Sequence, residues 1–149
     1  MIKKFFVINL FLFSFFFTNS YSDNSSYMSL KNNKVNVRYG PGLDYPIKFV
    51  FNKKNYPVEI IDKKENFRKI LDFKKNSGWI HRSQLKKSSS FITLDTVILF
   101  SDSTKFSRPV AKIEIGRLLN KKKCNLNWCK VKTGEYKGWV LKENLWGLN

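Results

Sequence analysis

Acidic residues, histidine, cysteine and glycine are all scarce in this chain, and each shortage removes a class of function. Across 149 residues, 11 Asp and Glu stand against 28 Lys and Arg, a formal net charge of +17. The only histidine is His81, and the two cysteines are Cys124 and Cys129. Tetrahedral zinc takes three or four Cys or His ligands. Beyond the two cysteines only His81 is left, so a metal site fails on ligand count. The cysteine spacing is not the C-x-x-C of a redox pair. A general base needs a nucleophile in hydrogen-bond reach and an orienting acid, and the sequence beside His81 offers neither. Asp44, Asp62, Glu65 and Asp72 fall in separate turn segments, without the carboxylate pair of glycoside hydrolysis. The seven glycines form no phosphate loop between a strand and a helix. No stretch carries a 3.6-residue apolar stripe of helical length. These absences lead us to expect an all-β chain that is not an enzyme and holds no metal or cofactor.

What is present is a repeated phrase. Gly78-Trp79-Ile80 through Leu85 returns 60 residues later as Gly138-Trp139-Val140 through Leu145. Upstream, Asn66-Phe67-Arg68-Lys69-Ile70 is echoed by Asn127-Trp128-Cys129-Lys130-Val131. Such a repeat means two copies of one small unit. The first is expected over 28–85 and the second over 91–146, joined by a polar linker, Lys86-Lys87-Ser88-Ser89-Ser90. Units this small bury only ~60% of their unfolded surface and are marginal alone, so the two are expected to pack together, with Trp146 capping their interface.

Period-two alternation supplies the strands. Val35, Val37 and Tyr39 alternate with Asn36 and Arg38, and Val58 and Ile60 flank Glu59. Segments 67–71 and 79–80 follow after turns, and 97–100, 111–115, 128–132 and 139–140 take the same places in the second copy. About five short strands per unit suits a small barrel. Lys53-Lys54, Lys63-Lys64, Lys74-Lys75 and Lys121-Lys122-Lys123 fall between the alternations, where hairpin tips would sit. Lysines there are solvated turns or edge protection. Alternatively they form a binding patch. Lys, Asn, Ile and Phe are also the residues an AT-rich genome over-uses.

The N-terminus reads as a secretory signal over 1–22, ahead of a polar leader from Asp23 to Tyr27. Lys3 and Lys4 precede a 13-residue apolar run, Phe5 to Phe17, interrupted only by Asn9 and Ser14. Ser20 and Ser22 supply the small residues of a cleavage site before Asp23. A membrane span takes ~20 apolar residues, longer than this run. Seven of the 14 Phe lie in this segment, and the other seven suit two ordinary cores. Removing Lys3 and Lys4 lowers the formal charge of +17 to +15, which attracts anionic partners. Export makes the phosphates and carboxylates of an envelope surface those partners, not nucleic acid. A periplasmic or secreted protein with an even cysteine count is expected to oxidise them. The Cys124–Cys129 bridge would close a hairpin between Lys121 and Lys132 with residues 125–128 at its tip, worth about 2 kcal/mol in the chain-entropy model.

The opening Val35-Asn36-Val37-Arg38-Tyr39-Gly40-Pro41-Gly42 and the Gly78-Trp79-Ile80 closing resemble the bacterial SH3-like (SH3b) domains, which begin LNVRxGPG and end GWV. The second copy keeps the Gly-Trp-Val ending but has Leu99-Phe100-Ser101-Asp102 in place of the opening. The resemblance implies two tandem SH3-like barrels, each with a one-turn 3₁₀ helix, at 82–84 and at 142–144. It also implies an envelope location and non-catalytic binding, and some relatives attach wall-cleaving enzymes to peptidoglycan. Pro41 and its flanking glycines either shape the first loop, with positive φ at the glycines turning the strand, or build a groove against the Trp79 hairpin. Trp79 and Trp139 are either core or ligand platform. The expected ligand set is Arg38, Tyr39, Tyr45, Phe49 and Trp79, taking peptidoglycan peptide stems or a wall-associated protein. The alternatives are an adaptor that docks a partner through a barrel edge and a wall hydrolase acting through His81.

Overall fold

The computed structural model describes residues 26–149, so the signal read over 1–22 lies outside the described residues. Fourteen strands run in chain order: β1 Ser26–Leu30, β2 Val35–Arg38, β3 Ile47–Phe51, β4 Pro57–Lys64, β5 Phe67–Leu71, β6 Ser77–His81 and β7 Leu85–Lys87, then β8 Ser90–Thr93, β9 Val97–Phe100, β10 Pro109–Ile113, β11 Leu118–Cys124, β12 Trp128–Thr133, β13 Tyr136–Leu141 and β14 Leu145–Trp146. They form two seven-stranded sheets, ordered β3-β2-β6-β5-β4-β1-β7 and β10-β9-β13-β12-β11-β8-β14. The second order repeats the first with every strand advanced by seven. One-turn 3₁₀ helices stand at Arg82–Gln84 and Lys142–Asn144, as the resemblance implies.

Each sheet closes on its own apolar cluster. Leu30, Val35, Val37, Val58, Ile60, Ile70, Ile80 and Leu85 fill the first. Phe91, Val97, Leu99, Ile113, Leu119, Cys129, Val131, Val140 and Leu145 fill the second. Alternation sets which residues go inward. Val35 and Val37 are buried while Asn36 and Arg38 face out, and Ile80 is buried while Trp79 and His81 face out. Gly78 and Gly138 point inward because nothing larger fits. A Cβ on Gly78 would stand 2.4 Å from Val37 Cγ1, and one on Gly138 would stand 2.8 Å from the Phe100 carbonyl oxygen.

Several local readings change on folding. Ser26 and Tyr27, read as a polar leader, belong to β1, where they pair with Ile60 and Glu59. Lys121-Lys122-Lys123 lie in the body of β11, not at a hairpin tip, while Lys63-Lys64 are the last two residues of β4, beside the Glu65-Asn66 turn. Both hairpins are long enough to carry pairing past the apolar alternation. Trp128 opens β12 instead of sitting in the tip. The serines between the units are a hydrogen-bonded seam. Ser89 N donates to Ser29 Oγ at 3.0 Å, the Ser29 and Ser90 hydroxyls meet at 3.1 Å, and Ser88 Oγ donates to the Gly147 carbonyl at 3.2 Å. Trp146 packs edge-on to Tyr27 and Phe73, at 5.1 and 5.8 Å between centroids, which ties the second unit to the first. The disulfide forms: Cys124 and Cys129 are register partners across β11–β12 with Cα atoms 4.0 Å apart.

Candidate functional site

The loop from Tyr39 to Pro46 is held to the ends of β2 and β3. Arg38 Nη1 donates to the Tyr45 carbonyl at 2.7 Å, and Tyr39 N donates to the Pro46 carbonyl at 3.1 Å. Gly40 and Gly42 are absent from the positive-φ glycines, so the turn does not use that freedom. Their role is close approach. A Cβ on Gly40 would lie 2.2 Å from Tyr45 Cδ1, and one on Gly42 would lie 3.1 Å from Tyr45 Cδ2. The tyrosine ring lies on the Gly-Pro-Gly backbone and fixes the loop's shape.

Between this loop and the β5–β6 hairpin runs a depression of about 390 Å³, lined by Lys34, Asn36, Arg38, Leu43, Phe67, His81 and Gln84. Phe67 and His81 are register partners, their rings edge-to-face at 5.2 Å. His81 caps the 3₁₀ turn. Its Nδ1 accepts from Ser83 N at 3.3 Å and lies 2.7 Å from Ser83 Oγ. The turn thus brings a hydroxyl two positions on within reach of the ring, while among the described residues no carboxylate bonds to it. Gln84 Oε1 accepts from Asn32 Nδ2 at 2.9 Å at the groove's end.

The structure distributes the five expected ligand residues. Arg38 lines the groove. Trp79 is its register partner one strand over, half-buried on the outer face and outside the core cluster. Tyr45 is bonded to Arg38 through its carbonyl and is 44% exposed, and Tyr39 is 64% exposed, with Lys48 Nζ 5.7 Å from its ring. Phe49 turns away. It faces Val37 in register, packs on the core and meets Phe51 edge-on at 5.3 Å. It lines a different hollow of about 600 Å³ together with Phe51, Tyr56, Asp72 and Phe73. There the Tyr56 hydroxyl is pushed up to about 12, first by burial and then by the Asp72 carboxylate. Asp72 is itself buried and accepts from Asn76 N at 2.8 Å.

Lys34, Asn36, Leu43, Phe67, His81 and Gln84 form no motif in sequence, since pairing gathers them from four separate segments. The repeat is the signal that finds them. In the second barrel the equivalent place holds a depression of about 320 Å³, lined among others by Thr96, Ile98, Phe100, Lys105, Trp128, Leu141 and Asn144. Each of these stands at the position of one groove residue of the first barrel. Phe100 replaces Arg38, Trp128 replaces Phe67 and Leu141 replaces His81. The Phe100 and Trp128 rings meet edge-on at 5.9 Å. One site is thus built twice, cationic and polar in the first copy and aromatic in the second. Trp139 is buried, yet like Trp79 it lies outside its core cluster.

Two seven-stranded SH3-like barrels in tandem, each with a groove beside its long first loop, define the class. The bacterial SH3 domain model matches residues 31–87 and again 95–147, and the chain belongs to that family. Among curated proteins none matches the sequence. Among solved structures it is similar to NlpC2 from Trichomonas vaginalis, at 14% identity and TM-score 0.38, over 82% of this chain and 48% of that one. It is likewise similar to NlpC1 from Trichomonas vaginalis, at 15% identity and TM-score 0.38, over 85% and 47%. The chain therefore spans about half the length of each.

Proposed function

We propose that this is a non-catalytic binding protein of the cell envelope, periplasmic or secreted, whose first barrel takes the peptide stems of peptidoglycan in the Arg38 groove. The observation that carries the reading is the groove's chemistry. Lys34 and Arg38 supply charge for carboxylates, Asn36 and Gln84 supply amides for a peptide backbone, and Phe67 with Leu43 gives an apolar surface between them. Short peptides bearing free carboxylates match that arrangement. Exposed ion pairs are worth under about 1 kcal/mol each, so affinity is modest and salt-sensitive unless both barrels engage one wall strand. Membership of the SH3 family and the Cys124–Cys129 bridge support a place outside the cytoplasm, where disulfides persist.

The His81–Ser83 contact favours a hydrolytic reading only in part. Nδ1 is engaged in capping its own turn, and among the described residues no carboxylate bonds to the ring to orient it. An adaptor reading rests on β3, an edge strand whose Ile47 is 47% exposed, which could add a partner's strand. Sedimentation with purified peptidoglycan separates these. Retention at low salt that falls for Lys34→Ala and Arg38→Ala supports the groove. No retention at low salt rejects wall binding, and release of peptide fragments abolished by His81→Ala supports hydrolysis instead.

A further inference from the structure

The outer faces of the two barrels can be compared row by row, because the same strands pair in the same register. Across the first barrel one row reads Asp62, Lys69, Trp79 and Arg38 on β4, β5, β6 and β2. The equivalent row of the second reads Lys123, Lys130, Trp139 and Phe100 on β11, β12, β13 and β9. Both rows begin just past a register shift, between Ile60 and Asp62 in one and between Lys121 and Lys123 in the other. The next row is Glu59, Leu71 and Ser77 in the first barrel and Asn120, Lys132 and Lys137 in the second. Both acids of the first face are gone, and three lysines replace an acid, a leucine and a serine. Residues 57–81 carry six Lys and Arg against four acids, whereas residues 118–141 carry six lysines against Glu135 alone. Genome-wide compositional drift would act on both halves of one chain alike, so it does not produce this asymmetry.

The arrangement carries an electrostatic cost in isolation. Lys123 stands directly opposite Lys130, and Lys132 directly opposite Lys137, and like charges at facing positions destabilise a sheet. Trp139 draws the first pair together: the Lys123 and Lys130 Nζ atoms lie 5.4 and 5.7 Å from its ring centroid, within the range of cation–π attraction.

We propose that the outer face of β11, β12 and β13 binds a linear polyanion, with Lys123, Lys130, Lys132 and Lys137 taking successive anionic groups around Trp139. The face is on the other barrel from the Arg38 groove, and the proposal does not depend on that groove's ligand. Lysine ammonium groups are compact point charges with rotatable donors, so they accept phosphate or carboxylate without fixed orientation. Neighbouring strands lie ~4.8 Å apart and same-face residues ~7 Å apart along a strand, which suits a chain with an anion at that interval. Trp139 is only 8% exposed, so the ring set among these lysines does not stand out to enter a bilayer, which favours a polymer over a lipid surface.

The test is calorimetric titration of the protein with long-chain inorganic polyphosphate, with poly-L-glutamate and with phosphatidylglycerol vesicles, each separately, at low and at physiological salt. The face variant is Lys123→Asp/Lys132→Leu/Lys137→Ser, which installs the first barrel's residues. A control, Lys31→Ser/Lys53→Ser/Lys54→Asp, removes the same charge from exposed positions elsewhere. Exposed ion pairs each contribute a modest increment, so losing three together is expected to weaken binding of the face variant at least ~10-fold, with the control within ~3-fold of the native protein. The milder Lys132→Gln/Lys137→Gln, at two exposed positions, gives an intermediate loss and covers misfolding of the triple variant. Binding of either polymer with this ranking supports the face and identifies the anion. Equal weakening by face and control variants, or no binding of either polymer, overturns it. So does binding confined to phosphatidylglycerol vesicles.

Discussion

The Tyr45 ring rests on Gly40 so closely that a methyl group there would lie 2.2 to 2.6 Å from three ring carbons. The same tyrosine's carbonyl accepts from Arg38 at 2.7 Å, so the ring's seat also sets the position of the groove's main cation. Gly40→Ala must displace the ring. Overpacking of this kind costs about 1–3 kcal/mol. We expect a lower melting temperature, shifted amide resonances from residue 39 to residue 46 and unchanged resonances in the second barrel. Unchanged loop resonances would show that the ring has room to move.

Gly78→Ala and Gly138→Ala act on the strands. Their Cβ atoms would meet Val37 Cγ1 at 2.4 Å and the Phe100 carbonyl oxygen at 2.8 Å. The second contact is with backbone, which yields less readily than a side chain. Each should destabilise its barrel by about 1–3 kcal/mol, with Gly138→Ala the worse of the two. Chemical denaturation checks the order, and two silent substitutions would contradict the inward placement.

Reduction of the Cys124–Cys129 bridge, or Cys124→Ala/Cys129→Ala, removes the clamp at the end of β11–β12. The loop is short, so the chain-entropy loss is about 2 kcal/mol. Cys129 is fully buried in the second core, so its truncation adds to that in the double variant. Hydrogen exchange should report the loss in β11 and β12 before β4 and β5. Stability unaffected by reductant would contradict this.

Tyr56 predicts an alkaline limit. Its folded pKa of about 12 lies above the ordinary 10.0, so between those values the native state holds a proton that the unfolded chain releases. Stability is full below pH ~10 and falls as pH rises toward ~12. The side chain is half-buried, and solvent screening reduces the effect. In Tyr56→Phe the fall over that window should flatten, as followed by urea midpoints. An identical fall in both proteins would assign it to other groups.

The all-β class, the bridge and Trp146 at the interface were legible because each rests on local pattern, namely alternation, a repeated phrase or cysteine spacing, whereas both 3₁₀ turns came from the family resemblance. The groove's lining was not. Asn36, Phe67, His81 and Gln84 are isolated polar or aromatic residues until antiparallel pairing of β2, β5 and β6 sets them side by side. Phe49 looked like groove because it follows the loop, but β2–β3 register puts it opposite Val37 and so on the core face. The lysine run at 121–123 looked like a turn because charge usually marks one, and pairing with β12 carries it into the sheet.

The central claim, that the first barrel's groove binds wall peptide, is tested most directly by NMR titration of the protein with purified stem-peptide fragments of peptidoglycan. The account predicts saturable shifts at Asn36, Arg38, Leu43, Phe67, His81 and Gln84, with smaller shifts at the equivalent second-barrel positions. Saturable shifts confined to other surfaces, or none at millimolar fragment with both barrels folded, would contradict it.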